Sequence, residues 1–326
     1  MIKGINRLVV GIAICIVVAI LFLAAKLLRE EPAPKNYQIS VIVNDSSSSR
    51  WTPFQEGIKK AADESHVRLN YVTTDLANSA IKQKQMIEKE MDQGADGLIV
   101  QLYKSNDSDK IRKYAGNKVA IEFVDCESSK DDNNSGNVRQ IGINNKDAGE
   151  TLANELRKRS GNNLNGKSIL LLSGNQSMHS MAERRDAFIN ELKKYKSGVR
   201  GELDYTNSST ERISAFMNDE DFDTIVAMDD SSLSAAVDFV KATGANISVM
   251  GIGNSEKNLY FLDNGTIDLM LVPNEYNMGY TCMIDMINRL NGVKTPKDYN
   301  KVEFATATSK NMYKEDIEKI LFPIIQ

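Results

Sequence analysis

"ISVIVNDSSSSRWTPFQEGIKKAADES", residues 39–65, passes from an apolar, β-branched run through a polar turn into a helical pattern. Such a passage reads as strand, turn, helix. The turn holds four consecutive serines, Ser46 to Ser49, followed by Arg50, Trp51 and Pro53, and Trp51 is the chain's single tryptophan. A loop this polar with one large aromatic is either punctuation or a place where something binds.

Outward from it the alternation continues. Strand-like runs at 38–43, 67–73, 97–100, 118–124 and 140–143 are separated by helical stretches such as "FQEGIKKAADES" and "SAIKQKQMIEKEMDQG". In the latter, Ile81, Met86, Ile87 and Met91 recur near helical spacing and Gly94 ends the helix. Beyond residue 145 the pattern repeats, with strands at 168–174, 224–228, 247–252 and 267–272 and helices in 178–195, 209–218, 231–243 and 275–291. Short apolar strands alternating with amphipathic helices predict an α/β fold of parallel sheets covered on both faces. Two doubly wound lobes of roughly 130 residues each suit the length better than one sheet.

The chain has 326 residues, three Cys, two His and a formal net charge of −4. Residues 1–36 hold five basic and two acidic side chains, which leaves −7 on the remainder. An acidic body argues against a nucleic-acid surface. Leu8 to Ala25 is a run of 18 uncharged residues, flanked by Lys3 and Arg7 before it and Lys26 and Arg29 after it. At 1.5 Å per residue it nearly spans a hydrocarbon core of about 30 Å. Residues 1–29 are expected to be an uncleaved transmembrane anchor, with a removed signal peptide as the alternative, since Phe22 or Leu23 occupies the position where cleavage needs a small residue. Ile14 before Cys15 speaks against a lipoprotein anchor in the same way. Residues 30–36, "EEPAPKN", form a linker. Cys15, Cys126 and Cys282 make no disulfide framework.

"GNNLNGKS", 161–168, matches the phosphate-loop pattern by letter. A nucleotide loop must leave a strand and open a helix, whereas this one follows a helix and precedes a strand. Gly161 is expected to be a helix C-cap, with Lys167 and Ser168 entering a strand. "GIGN", 251–254, fails as a dinucleotide fingerprint because Glu256 stands where the third glycine belongs. His66 and His179 are the only imidazoles and no G-x-S-x-G is present, so hydrolytic chemistry has little material. "NDEDFD", 218–223, lacks the glycine and terminal Glu of a calcium loop. No enzyme activity, metal or cofactor is expected.

What the pattern leaves is a set of polar residues directly after the strands: "NDSSSSRW", Gln101, Asp125, Asn144 and Asn145, Asp229 and Asp230, Gly253 and Asn254, and Asn274. In open parallel sheets, ligands bind outside the carboxyl ends of the strands. Paired carboxylates and amides beside an aromatic face suit a polyhydroxylated small molecule. Taken singly, each Asp, Asn or Ser is equally a helix N-cap, and only the recurrence in both halves favours a shared cleft.

The phrases at 39–65, "QGADGLIVQ", "IEFVDCES", "IGINNKDAGETLANEL", "SMAERRDAFINEL", "TIVAMDDSSLSAAVDFVKATG" and "VMGIGN" occur in the order found in the type I periplasmic sugar-binding proteins. The chain resembles that family, the relatives of ribose-binding protein and of the effector domains of lactose-repressor-like regulators, over about residues 37–310. The resemblance implies lobes of 37–143 plus 275–302 and of 144–274 plus 303–326, with crossovers near Asn144, Asn274 and Glu303. It also implies a hinge and a ligand cleft between the lobes. It places ligand contacts on Ser48, Arg50 and Trp51, the last as a stacking face, on Asp125 and on Asp229. A family glutamine near the hinge falls on Pro273, beside Asn274 and Glu275. Departures are Cys126 where an arginine is usual, Ala182 where another arginine often touches sugar, and Gly253 where an aspartate is usual. Arg184 is expected to be structural.

The implied function is extracytoplasmic binding of a small polar ligand, a sugar, in the cell membrane. Two uses follow: feeding an ABC permease, or presenting the bound state to a sensor histidine kinase through a lateral contact with the anchor helix. A secreted form, a repressor and a nucleotide-binding enzyme are the alternatives, and a repressor would need a helix-turn-helix where this chain has an apolar segment.

Overall fold

The run "GLIV" at Gly97–Val100 has all four residues buried, and so does "ILLL" at Ile169–Leu172. Strands buried on both faces need helices on both sides, and a parallel sheet with crossover helices supplies them. The computed structural model describes residues 16–20, 36–74, 80–126, 138–204, 210–219, 221–293 and 301–323. It divides into two units, Met1–Asn36 and Tyr37–Gln326.

In the first unit, residues 16–20 are helical and exposed. The rest of the expected anchor, Leu8 to Ala25, lies outside the described residues, among which no helix is long and apolar enough to cross a membrane.

The second unit begins with β1 (Gln38–Ile42), α1 (Thr52–Glu64), β2 (Arg68–Tyr71), α2 (Ala80–Asp92), β3 (Gly97–Val100), α3 (Ser108–Ala115), β4 (Ala120–Val124) and β5 (Val138–Ile143). A second series follows: α4 (Asn145–Arg159), β6 (Ile169–Leu172), α5 (His179–Lys194), β7 (Gly201–Leu203), α6 (Thr210–Asp219), β8 (Thr224–Ala227), α7 (Asp230–Thr243), β9 (Ser248–Ile252), α8 (Glu256–Asp263) and β10 (Leu269–Pro273). The chain closes with α9 (Glu275–Leu290), β11 (Lys301–Val302), β12 (Phe304–Ala307) and α10 (Glu315–Leu321).

Among the described residues two six-stranded sheets result, ordered β11-β5-β4-β3-β1-β2 and β12-β10-β9-β8-β6-β7. The pairings are parallel except β10 with β12. The two-residue side-chain period sorts the first sheet's faces: Ile39, Val41 and Ile99 join one apolar cluster, while Ile42, Leu98 and Val100 join another. Since β5, β10 and β11 each hand the chain to the other lobe, three segments connect them. At one of these crossings the Asn274 amide donates to Glu303 O at 2.9 Å.

Two close helix contacts fix the layers. A Cβ on Gly57 of α1 would stand 2.1 Å from Tyr276 O, and one on Gly279 of α9 would stand 2.2 Å from Phe54 O. The helices touch backbone to backbone, so α9 belongs to the first lobe. In the second lobe Gly149 of α4 does the same for α5, since a Cβ there would stand 2.2 Å from Arg184 O.

The sequence pattern misplaces some details. Ile81, expected on the buried face of α2, is 72% exposed. That face instead carries Gln83, Ile87 and Glu90, because the first sheet offers polar partners: Glu90 accepts from Ser40 Oγ at 2.7 Å and from Asn70 Nδ2 at 2.6 Å. The strand "GEL" at β7 is too short and polar to announce itself. Gly161 has φ +66° just past α4, and Lys167 reaches Asp223 at 3.4 Å ahead of β6, so the 161–168 segment runs from helix to strand.

Candidate functional site

The crevice between the lobes lies at the carboxyl ends of both sheets, where strand order reverses between β1 and β3 and between β6 and β8. The residues after β1, β4, β8, β9 and β10 meet there. Arg50, Asp125 and Glu275 come from the first lobe, Arg184, Asp229, Asp230 and Asn254 from the second, and Ile252, Gly253 and Pro273 complete the lining. The space left between them is about 10 Å³, room for about one water. The lobes are therefore closed.

Arg50 is the centre. It stands in the turn Ser49–Trp51, and its Nη2 pairs with Asp125 Oδ2 and reaches Glu275 Oε1 at 3.2 Å. Its guanidinium lies 4.3 Å from the centroid of the Trp51 ring. Burial works against the charge, yet Asp125 and Glu275 hold the Arg50 pKa above the ordinary guanidinium value. Asp125 adopts φ +48°, a left-handed conformation that Asp tolerates and that turns its carboxylate off the end of β4.

Arg184 crosses from the second lobe. Its Nη2 is 3.5 Å from Asp125 Oδ1, its Nε and Nη2 donate to Asn145 Oδ1 at 3.0 and 2.6 Å, and its Nη1 donates to Met228 O at 2.7 Å. Burial lowers its pKa. Asp229 caps α7, accepting from Ser232 N at 2.9 Å and Ser232 Oγ at 3.0 Å, and burial raises its pKa. Gly174 makes room for it, since a Cβ there would meet Asp229 Oδ2 at 2.0 Å. Asp230 Oδ1 accepts from the amides of Asn254 and Ser255 and from Asn258 Nδ2, each at 2.9 Å. Glu275 is 1% exposed and its Oε2 has no hydrogen-bond partner among the described residues. Burial, which Arg50 opposes, pushes its pKa up to about 7.

Direct bonds tie the lobes together: Asn254 Nδ2 donates to Arg50 O at 3.2 Å, Ser180 Oγ to Asp125 O at 3.1 Å, and Asn175 Nδ2 to Tyr103 O at 2.9 Å.

Of the residues named from sequence, Arg50, Asp125, Asp229, Asn254 and Glu275 are brought together as lining. Gln101 and Asn145 stand one layer back. Gln101 Nε2 is 3.4 Å from Asp125 Oδ2 while its Oε1 accepts from the Asn44 amide, and Asn145 holds Arg184. The other three fall elsewhere. Trp51, expected as a stacking face, is 1% exposed: it packs edge-on against Phe54 at 5.2 Å and its indole N–H is spent on Asn44 O at 2.8 Å. Trp51 is the N-cap of α1, with Pro53 in the first turn of that helix, so the ring packs under the helix start. Ser48 precedes the short turn of Arg50 with its carbonyl on the Trp51 amide, and Asn274 caps α9 through Asn277 N at 3.0 Å.

Arg184, expected to be structural, was not expected as a lining residue, whereas Asp230 was named among the polar residues that follow the strands. The signal for Asp230 was its place beside Asp229 after β8. Arg184 had none, because its reach depends on the close approach at Gly149. A larger, mainly apolar recess of about 370 Å³ adjoins the cleft at Asn254, between Pro53 and the side chains of Tyr260, Met312, Tyr313 and Phe322. The charged groups converge on the cleft instead.

The sequence profile of the periplasmic binding protein domain matches residues 39–294. A comparison with curated proteins finds no match. Among solved structures, a solute-binding protein of an ABC transporter from Burkholderia graminis C4D1M, in complex with D-arabinose, is 20% identical. It superposes with a TM-score of 0.76, covering 86% of this chain and 98% of its own. A carbohydrate transporter solute-binding protein from Agrobacterium radiobacter, also with D-arabinose, is 17% identical with a TM-score of 0.80, covering 88% and 99%. A XylFII-LytSN complex contributes a chain 16% identical with a TM-score of 0.72, covering 85% and 98%. All three share the two-lobed fold.

Proposed function

Because the chain belongs to the periplasmic binding protein domain family, we propose that it is an extracytoplasmic binding protein, not an enzyme, that closes its lobes around a small polyhydroxylated ligand for ABC-type uptake. The observation that carries this reading is the convergence of Arg50, Asp125 and Glu275 from one lobe with Arg184, Asp229 and Asn254 from the other, at the carboxyl ends of both sheets. Guanidinium forks and carboxylates offer the paired donors and acceptors that vicinal hydroxyls need. The D-arabinose complexes of two structural neighbours support a sugar as the ligand class. Leu8 to Ala25 tethers the body to the membrane in this reading, supported by its 18 uncharged residues.

The test is a thermal-shift screen of the purified chain against monosaccharides, oligosaccharides and polyols. A ligand at 100 times its Kd adds about 2.7 kcal/mol of stability. A set in which no sugar or polyol raises the melting temperature would overturn the assignment.

A second reading keeps the ligand and changes the listener: the closed form is presented to a sensor histidine kinase through the anchor helix. The XylFII-LytSN neighbour favours it, being a protein of this fold in complex with a second protein. Crosslinking in intact membranes separates the two, since recovery of permease and ATPase subunits without a kinase excludes the sensor role.

A further inference from the structure

Six ionisable side chains line the cleft among the described residues, and their formal charges do not balance. Arg50 and Arg184 face Asp125, Asp229, Asp230 and Glu275. The surplus is split evenly: Arg50 stands with Asp125 and Glu275 in the first lobe, and Arg184 with Asp229 and Asp230 in the second. Closing the lobes therefore brings two formal negative surpluses together in a space with room for about one water, where like charges are poorly screened.

The carboxylates are unequally served. Asp230 accepts three N–H donors, Asp229 has the amide and hydroxyl of Ser232, and Asp125 faces both guanidiniums. Among the described residues Glu275 has only the Nη2 of Arg50, which Asp125 shares, and its Oε2 is buried without a donor. A sugar hydroxyl placed there would supply one hydrogen bond and leave the charge surplus standing. An ammonium supplies the bond and the missing charge together.

Resting on the reading of this cleft as a small-ligand site, we propose that the natural ligand is an amino sugar whose protonated amine sits against Glu275 Oε2. The neighbouring groups sharpen this. Burial raises the Glu275 carboxyl to about 7 against the opposing pull of Arg50, with Asp125 and Asp230 adding to the rise, and Tyr71 feels its charge in turn. Arrival of a cation would drive the Glu275 proton off.

The test is isothermal titration of the purified full chain with D-glucose and D-galactose and with their analogues in which each hydroxyl is replaced in turn by an amine. The expected result is one amine bound at least about tenfold tighter than its parent sugar, a difference of about 1.4 kcal/mol. Its binding releases a proton, read from the heat in buffers of different ionisation enthalpy, and Glu275→Gln collapses the preference. Parent sugars binding as tightly as every amine would overturn this inference and leave the sugar-binding reading intact. Failure of every amine while a neutral sugar from the thermal-shift screen binds would likewise overturn this inference alone, and failure of all of them, screen included, would overturn both.

Discussion

The Trp51 side chain separates what a residue type suggests from what its surroundings make of it. A lone tryptophan in a serine-rich loop is the obvious stacking platform, yet its ring is in the core and its N–H is engaged with Asn44 O. Trp51→Ala is expected to remove about 3–5 kcal/mol of folding stability by leaving a large cavity. Urea unfolding measures this, and an unchanged midpoint would contradict the packing. Arg50, beside it, was legible as a cleft residue because it is a charged fork in a loop after a strand, and the structure places it in the lining, paired with Asp125 and Glu275. Glu275 was legible only through the resemblance. Its dependence on Arg50, contributed from 225 residues away, is a tertiary fact that no local pattern carries.

At the scale of elements, most strands and helices were readable because parallel strands are continuous apolar runs and their crossover helices are amphipathic. The exceptions have physical causes. The strand β7 is a three-residue edge strand with only Gly201 buried, so it lacks the apolar signal. The face of α2 that binds the sheet is polar, so helical periodicity of Ile and Met pointed the wrong way at Ile81. The helix contacts at Gly57, Gly149 and Gly279 were also silent, since glycine inside a helix can equally mark weakness. They now carry a prediction. Gly57→Ala or Gly279→Ala is expected to cost about 1–3 kcal/mol by forcing α1 and α9 apart. Gly149→Ala is expected to weaken ligand binding as well as folding, because the carbonyl it pushes belongs to Arg184. Titration alongside unfolding checks this, and a Gly149→Ala protein with reduced stability but unaltered affinity would contradict the coupling of this helix contact to the cleft.

For the molecule as a whole, buried carboxylates set how stability follows pH. Glu122, under α9 in the first lobe, pairs with Arg289 beside Asp285, and burial pushes its pKa from 4.5 up to about 8. Between those values the folded chain holds a proton that the unfolded chain has released, so stability falls as pH rises through the window and levels off above about 8. Glu275 acts in the same sense up to about 7 in the ligand-free protein. Glu191, Glu202 and Asp223 are shifted downward and weaken the fold only as pH falls through their own lower range. Melting temperature is thus expected to decline from pH 5 toward pH 8, and Glu122→Gln to flatten the decline. In the proposed function, ligand closes the two lobes around Arg50. The most direct test is isothermal titration of Arg50→Ala with whichever sugar or amino sugar stabilises the parent chain. Loss of both the charge-assisted donors and the partner of Asp125 and Glu275 predicts at least about a hundredfold loss of affinity, near 2.7 kcal/mol, in a chain that still folds. Affinity within about threefold of the parent would contradict the account.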